Sequence, residues 1–204
     1  MTPEIVQSTA EMQPFTLWLW TPSESDDELL HLWESMNTGE QLPAIKASHR
    51  KREWLSSRIL LRKLNLESIH FLDNGKPVLE AGAVSISHCR GSVAVVTADR
   101  NIGLDIQLPT EQISTIRSKF CSPAEWDWIE KHDEPLRALT IAWSAKEAIF
   151  KYWGEHVEFA ADIEVLPFQC NDAVVLAQYT GTHGSRKFSL WHTTRDRLEI
   201  VVAI

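Results

Sequence analysis

The chain has 204 residues, 44% of them hydrophobic and 24% charged, enough to bury a full core as one domain or two small halves. Its net charge of −8 repels nucleic acid and anionic lipid, so an anionic ligand has to be held by a local cluster of cations. Cys89, Cys121 and Cys170 are odd in number and lack C-x-x-C spacing, against a disulfide framework or a zinc site, and no 18 apolar residues follow one another as a membrane span would require. No basic segment followed by an apolar run opens the chain, so the expected compartment is the cytoplasm.

Residues 1–14 read as a polar, mobile lead-in. Phe15–Trp20, aromatic and aliphatic, reads as a strand. Thr21-Pro22-Ser23 offers a cap for a helix over 25–36, with Asp26, Asp27 and Glu28 in a first turn that favours anions, and Asn37-Thr38-Gly39 stops it. A basic helix is predicted over 48–64, its apolar stripe made by Trp54, Leu55, Ile59, Leu60 and Leu64. Its cations, from His49-Arg50-Lys51-Arg52 to Arg58, Arg62 and Lys63, are either a solvated face or the local excess that an anion needs. A short strand at 69–72 leads into Asp73-Asn74-Gly75-Lys76-Pro77, a turn that holds Lys76 on a stiff loop. Strands at 84–88 and 93–98 flank Cys89-Arg90-Gly91-Ser92, a hairpin expected to present Ser87, His88 and Arg90 together, although His88 alone also reads as an ordinary strand-end histidine.

Over residues 102–107, period two puts Ile102, Leu104 and Ile106 on one side and Asp105 and Gln107 on the other. An Asp inside an apolar strand needs a partner. Asp105 either caps a turn at the strand end or shares a divalent cation with Glu147 further along. A helix is predicted over 110–119. The capping box Ser122-Pro123-Ala124-Glu125 then starts a second helix, running to about 131 and packed by Trp126 and Trp128. After the break at Asp133-Glu134-Pro135, a long helix is predicted over 136–153, ended by Gly154. Trp143, Glu147 and Lys151 recur along it at i, i+4 and i+8, while Ile141, Ala145, Ala148, Ile149 and Tyr152 make an apolar face that fixes it to a core. Taken alone, Glu147 and Lys151 can be an exposed helix pair worth a few tenths of a kcal/mol. Strands at 162–166, 173–178, 187–192 and Leu198–Ala203, with a turn at 181–184, complete the chain. The expected architecture is α+β: two similar halves, 1–100 and 101–204, each an antiparallel sheet packed on a long helix. A cleft between them would take a ligand, and such a duplicated chain favours a monomer.

Gly75-Lys76-Pro77, Ser85-Ile86-Ser87-His88, Gly103-Leu104-Asp105-Ile106, Phe120-Cys121-Ser122-Pro123-Ala124-Glu125 and Trp143-Ser144-Ala145-Lys146-Glu147-Ala148 with Lys151 follow one another in that order. The series resembles the 4′-phosphopantetheinyl transferase superfamily, in its monomeric, pseudo-dimeric, surfactin-synthetase activator-like type. The resemblance implies transfer of the phosphopantetheine arm of coenzyme A to a serine of an apo acyl or peptidyl carrier protein, with release of 3′,5′-ADP. It implies Mg²⁺ held by Asp105 and Glu147, with Glu147 as general base and Lys151 at the leaving phosphate. Lys76, Ser87, His88, Arg52 and Arg58 would hold the phosphates of coenzyme A. The family pattern has an acid two residues after the Asp where this chain has Gln107, so Gln107 or a water would complete the metal shell, with a weaker grip on Mg²⁺ and room for Mn²⁺. Carrier docking is expected over 110–124, through Ile113, Ile116, Arg117 and Lys119. Two rival readings are a coenzyme A- or carrier-binding protein that has lost turnover and a metal-dependent nuclease. The nuclease is disfavoured by the net charge and by a Glu and Lys four apart in helical sequence.

Overall fold

The computed structural model describes residues 4–7, 15–36, 39–66 and 68–204. Eleven strands and six α-helices are found among them. They are β1 Glu4–Gln7, β2 Phe15–Trp20, α1 Asp26–Ser35, α2 Ser48–Lys63, β3 His70–Phe71, β4 Pro77–Val78, β5 Ala83–Cys89, β6 Ser92–Ala98 and β7 Gly103–Gln107. Then come α3 Glu111–Ile116, α4 Pro123–Ile129, α5 Pro135–Trp153, α6 Phe159–Asp162, β8 Ile163–Val165, β9 Val174–Gly181, β10 Gly184–Arg195 and β11 Leu198–Ala203.

Two antiparallel sheets carry the fold, in the orders β1-β2-β6-β5 and β7-β11-β10-β9-β8, and β3 and β4 form a small hairpin. Strand alternation decides what each face does. Leu17, Leu19, Ala94 and Val96 from the first sheet meet Leu104, Ile106, Ile200 and Val202 from the second, so the two sheets pack face to face. Trp20, Val93 and Val95, one residue out of phase, turn the other way onto Leu55, Ile59 and Leu60 of α2. Val201 and Ala203 likewise turn away from the sheet interface, onto Ile141, Ala145, Ala148 and Ile149 of α5. The layers are therefore helix, sheet, sheet, helix, and each fully buried Leu or Ile in them contributes about 1.5–3 kcal/mol.

The expected α+β class with antiparallel sheets is what the chain adopts, and the apolar face read for the long helix is the one it buries. Several boundaries differ for local reasons. Ser25, rather than the Thr21-Pro22-Ser23 stretch, caps α1, in a box with Glu28. The helix expected over 110–119 tightens after Ile116 into a 3₁₀ turn at Arg117–Lys119. The strand expected at 69–72 shrinks to two residues, because the chain turns back at once to pair Phe71 with Pro77. The polar lead-in expected over 1–14 lies outside the described residues except at 4–7, which pair with β2 as an edge strand. The stop signal at Asn37-Thr38 also lies outside them. Pairing of residues distant in sequence, invisible to local patterning, accounts for the edge strand.

Candidate functional site

The site begins with a junction between strands that share no sheet. Along β5, Ser85, Ser87 and Cys89 lie on one face, and each accepts a backbone N–H from the chain running through β7. Leu104 donates to Ser85 Oγ at 3.0 Å, Ile106 to Ser87 Oγ at 3.1 Å and Leu108 to Cys89 Sγ at 3.4 Å. Side chains thus supply the rungs that a backbone ladder would otherwise provide. On the far side of β7, Gly103 lies against α5, where a Cβ would overlap Ala148 O and Tyr152 N. Only glycine lets the strand approach the helix so closely.

That approach brings Asp105 to Lys151. Asp105 is buried, and its Oδ1 accepts from Ser87 Oγ at 2.9 Å and from Lys151 Nζ at 2.8 Å. Ser87 Oγ also accepts from Lys151 Nζ at 3.1 Å, so its one proton and both lone pairs are engaged. The other carboxylate oxygen, Asp105 Oδ2, is buried with no hydrogen-bond partner among the described residues. One turn before Lys151, Glu147 has its carboxyl pushed up to about 7, first by burial and then by the charge of Asp105, with Lys151 opposing both. An orphaned buried oxygen beside a second carboxylate that the first repels suits a hard divalent cation. Gln107 lies on the same face of β7 as Asp105, opposite Glu199 of β11. Among the described residues no three His, Cys, Asp or Glu side chains group as a metal site.

Lys151 also forms part of a wall of a pocket of about 350 Å³ shaped by Lys76, Pro77, Ser85, Ile86 and Phe150. A second pocket of about 340 Å³ shares Gly75, Pro77 and Ile86 with it and extends to Arg50, Glu53, Arg58 and His88. Cations therefore stand at both ends of one apolar groove.

The sequence-predicted residues divide into those the fold gathers and those it sets apart. Asp105, Glu147, Lys151 and Ser87 converge. His88 and Ser87 do not emerge together from the hairpin as expected: alternation along β5 turns Ser87 onto β7, and His88 Nδ1 lies 3.4 Å from Glu53 Oε2 of α2, with Arg90 exposed in the turn. Lys76 Nζ donates to the carbonyls of Tyr152 and Trp153 at 3.3 and 3.2 Å, the C-terminal end of α5, where cations are favoured. Gly154, at φ 71°, ends that helix. Arg58 stacks on Phe71 and Trp54 and pairs with Glu40 at 2.9 Å. Arg52 is spent on the start of α1 and the loop before it, donating to Asp26 and to the carbonyls of Pro22 and Glu24. Ile113, expected at a docking surface, is buried in the core instead, and Arg117 stacks on Trp126.

Sequence reasoning missed Glu53, and also missed that Lys146 is wholly buried with Glu125. A Glu one helical turn from Arg50 gives no signal of its own, since its meaning comes from a strand 35 residues later. Among the described residues no helix is long and apolar enough to cross a membrane.

With this geometry in view, a family model described as the 4′-phosphopantetheinyl transferase superfamily matches residues 101–204. A stretch of 125 residues is 27% identical to a protein of Nocardia iowensis described as 4′-phosphopantetheinyl transferase Npt. That alignment covers 56% of this chain and 56% of the relative, so the chain matches little more than half of the relative's length.

Proposed function

Because the chain belongs to the 4′-phosphopantetheinyl transferase superfamily, we propose that it moves the phosphopantetheine arm of coenzyme A onto a serine hydroxyl of an apo acyl or peptidyl carrier protein, releasing 3′,5′-ADP. The observation that carries this reading is the convergence of Ser87, Asp105 and Lys151 at 2.8–3.1 Å, with Lys151 on the wall of the groove and Glu147 one helical turn before it.

The roles follow from the chemistry of each group. Glu147, titrating near neutrality, accepts the proton of the incoming serine, whose hydroxyl is a poor nucleophile without a base. Lys151 presents its ammonium to the departing phosphate oxygen, and Ser87 and Asp105 hold that ammonium in place. His88, Arg58 and Lys76 line the groove as contacts for the phosphates of coenzyme A, while Arg52, held by α1, would have to exchange partners to join them. Asp105 and Glu147, with Gln107 through its amide oxygen or a water, would hold Mg²⁺ or Mn²⁺. Bound there, the ion supplies positive charge to the pyrophosphate oxygens. The units 1–100 and 101–204 act as the two sides of one transferase, working as a cytoplasmic monomer.

The test is a mass measurement. Apo carrier protein incubated with the chain, coenzyme A and Mg²⁺ should gain ~340 Da, the mass of the covalent arm. Coenzyme A that binds by calorimetry while every carrier stays unmodified would leave a binding protein without turnover and overturn the transferase reading.

A further inference from the structure

Glu53 has a place in the groove that the chemistry above leaves unused. Its side chain is 15% exposed, and its Oε2 is buried without a hydrogen bond among the described residues. Among the described residues the cationic groups within 4 Å of that oxygen are His88 Nδ1 at 3.4 Å and Arg50 at 3.7 Å. Arg50 is 65% exposed, so water screens its contribution, whereas His88 meets Glu53 across the packed contact between α2 and β5. A desolvated carboxylate oxygen is costly unless a positive charge faces it. Neutral imidazole meets that need poorly; imidazolium meets it well. With Nδ1 turned to Glu53, the other ring nitrogen is left for the groove that Arg50 and Arg58 also line.

We infer that Glu53 is a positioning residue: it orients the His88 ring and favours its protonated form, and so sets the affinity of the groove for a phosphate group of coenzyme A. The inference rests on the transferase reading for the identity of the ligand, not for the geometry of the pair. Among the described residues, the charged groups that bear on His88 come from α2 and α5. Burial pushes its pKa below the ordinary value, Glu53 from α2 opposes that, and Lys151 from α5 and Arg50 from α2 add to the lowering. Glu53 is the anion in this set, so its removal leaves only a weaker backbone hydrogen bond opposing burial and two cations. The folded pKa is depressed, so without Glu53 the ring loses its proton at still lower pH. Phosphate affinity then fades from a lower pH upward.

The test compares the full chain with E53Q, which keeps the shape and removes the charge. Titrating the His88 ring by NMR should show its pKa about one unit lower in E53Q. Calorimetry should show coenzyme A bound ~10-fold more weakly near neutrality, and by a smaller factor at pH 5, where more of each ring is protonated. In transfer assays KM for coenzyme A should rise while kcat stays within about 2-fold, the mark of lost ground-state binding. E53D, which keeps a charge at a longer reach, should fall between the two. It also replaces E53Q if that variant does not fold, and must then by itself lower the His88 pKa and weaken coenzyme A binding. An unchanged His88 titration, or equal losses of affinity at every pH, overturns the inference. H88A that binds coenzyme A as the parent does would instead overturn the phosphate role of His88, and a carrier that never gains mass would overturn only the transferase reading.

Discussion

Helix α5 carries two lysines five residues apart, each paired with a carboxylate from another element, and the two pairs differ in what they leave over. Lys146 is fully buried and donates to Glu125 at 2.8 Å and to the carbonyls of Phe159 and Ile163 at 2.8 and 2.6 Å, which uses all three of its protons. Glu125 is as completely used, accepting in addition from Ser122 N and Val165 N at 2.8 Å each. Burial lowers the pKa of Lys146, and Glu125 opposes that. Lys151 also donates to its carboxylate at 2.8 Å, but its side chain is 25% exposed on the groove and Asp105 keeps one oxygen without a partner among the described residues. The closed pair has no capacity for a ligand, so it can only brace α4, α5 and β8. The open pair holds charge in reserve, and reserve charge next to a groove is what chemistry requires.

The largest effect expected from breaking this contrast is on the closed side. K146M leaves the Glu125 carboxylate buried without its cation and should cost about 3–5 kcal/mol in denaturant unfolding. K151M, partly exposed, should cost about 1 kcal/mol or less in the same measurement, yet lower transfer ~10²–10³-fold. Similar losses of stability in the two variants would erase the distinction between them. E147Q comes next: transfer should fall ~10²–10⁴-fold while the melting temperature holds or rises, since burial and Asp105 already disfavour the carboxylate. A melting temperature that falls with the activity would make Glu147 a structural residue like Glu125.

A smaller effect tests a third buried acid, Glu199, which accepts from Arg137 at 2.6 Å, His192 at 2.9 Å and Thr194 at 2.8 Å. Burial raises its pKa, but those hydrogen bonds outweigh burial and the net shift is downward. A depressed carboxylate stabilises the fold above its unfolded value of 4.5 and loses that contribution as pH falls through its folded value. E199Q should therefore cost about 1–3 kcal/mol at pH 7, and the gap to the parent should narrow steadily below pH 4.5 in acid unfolding. The smallest effect concerns the metal shell: Q107E should lower the Mg²⁺ concentration for half-maximal transfer several-fold and tighten Mg²⁺ binding by calorimetry. Unchanged metal dependence in both would remove position 107 from the shell.

Much of the open pair was legible in the sequence. Period two placed Asp105 on the face opposite Leu104 and Ile106, and helical spacing placed Glu147 and Lys151 one turn apart. These are local regularities, and the meeting of strand and helix required only that both bury their apolar faces. The closed pair was not legible. Ser122 and Glu125 were readable as a capping box, which they form, but nothing nearby says that Glu125 also reaches Lys146 and Val165. The hairpin turn suggests that Ser87 and His88 emerge together, whereas strand alternation sends their side chains to opposite faces. Nor does the sequence show that the fold gives Lys76 and Arg52, two cations expected at a ligand, backbone carbonyls as partners.

By itself, then, the sequence determined the elements and the outward or inward sense of most side chains, since these follow from period, caps and breakers acting over a few residues. Only the tertiary structure decided which charges are satisfied and which are held in reserve. That depends on the count of donors and acceptors around each group, supplied by strands and carbonyls tens of residues away, and on closeness such as that of Gly103 to α5, which no local pattern encodes.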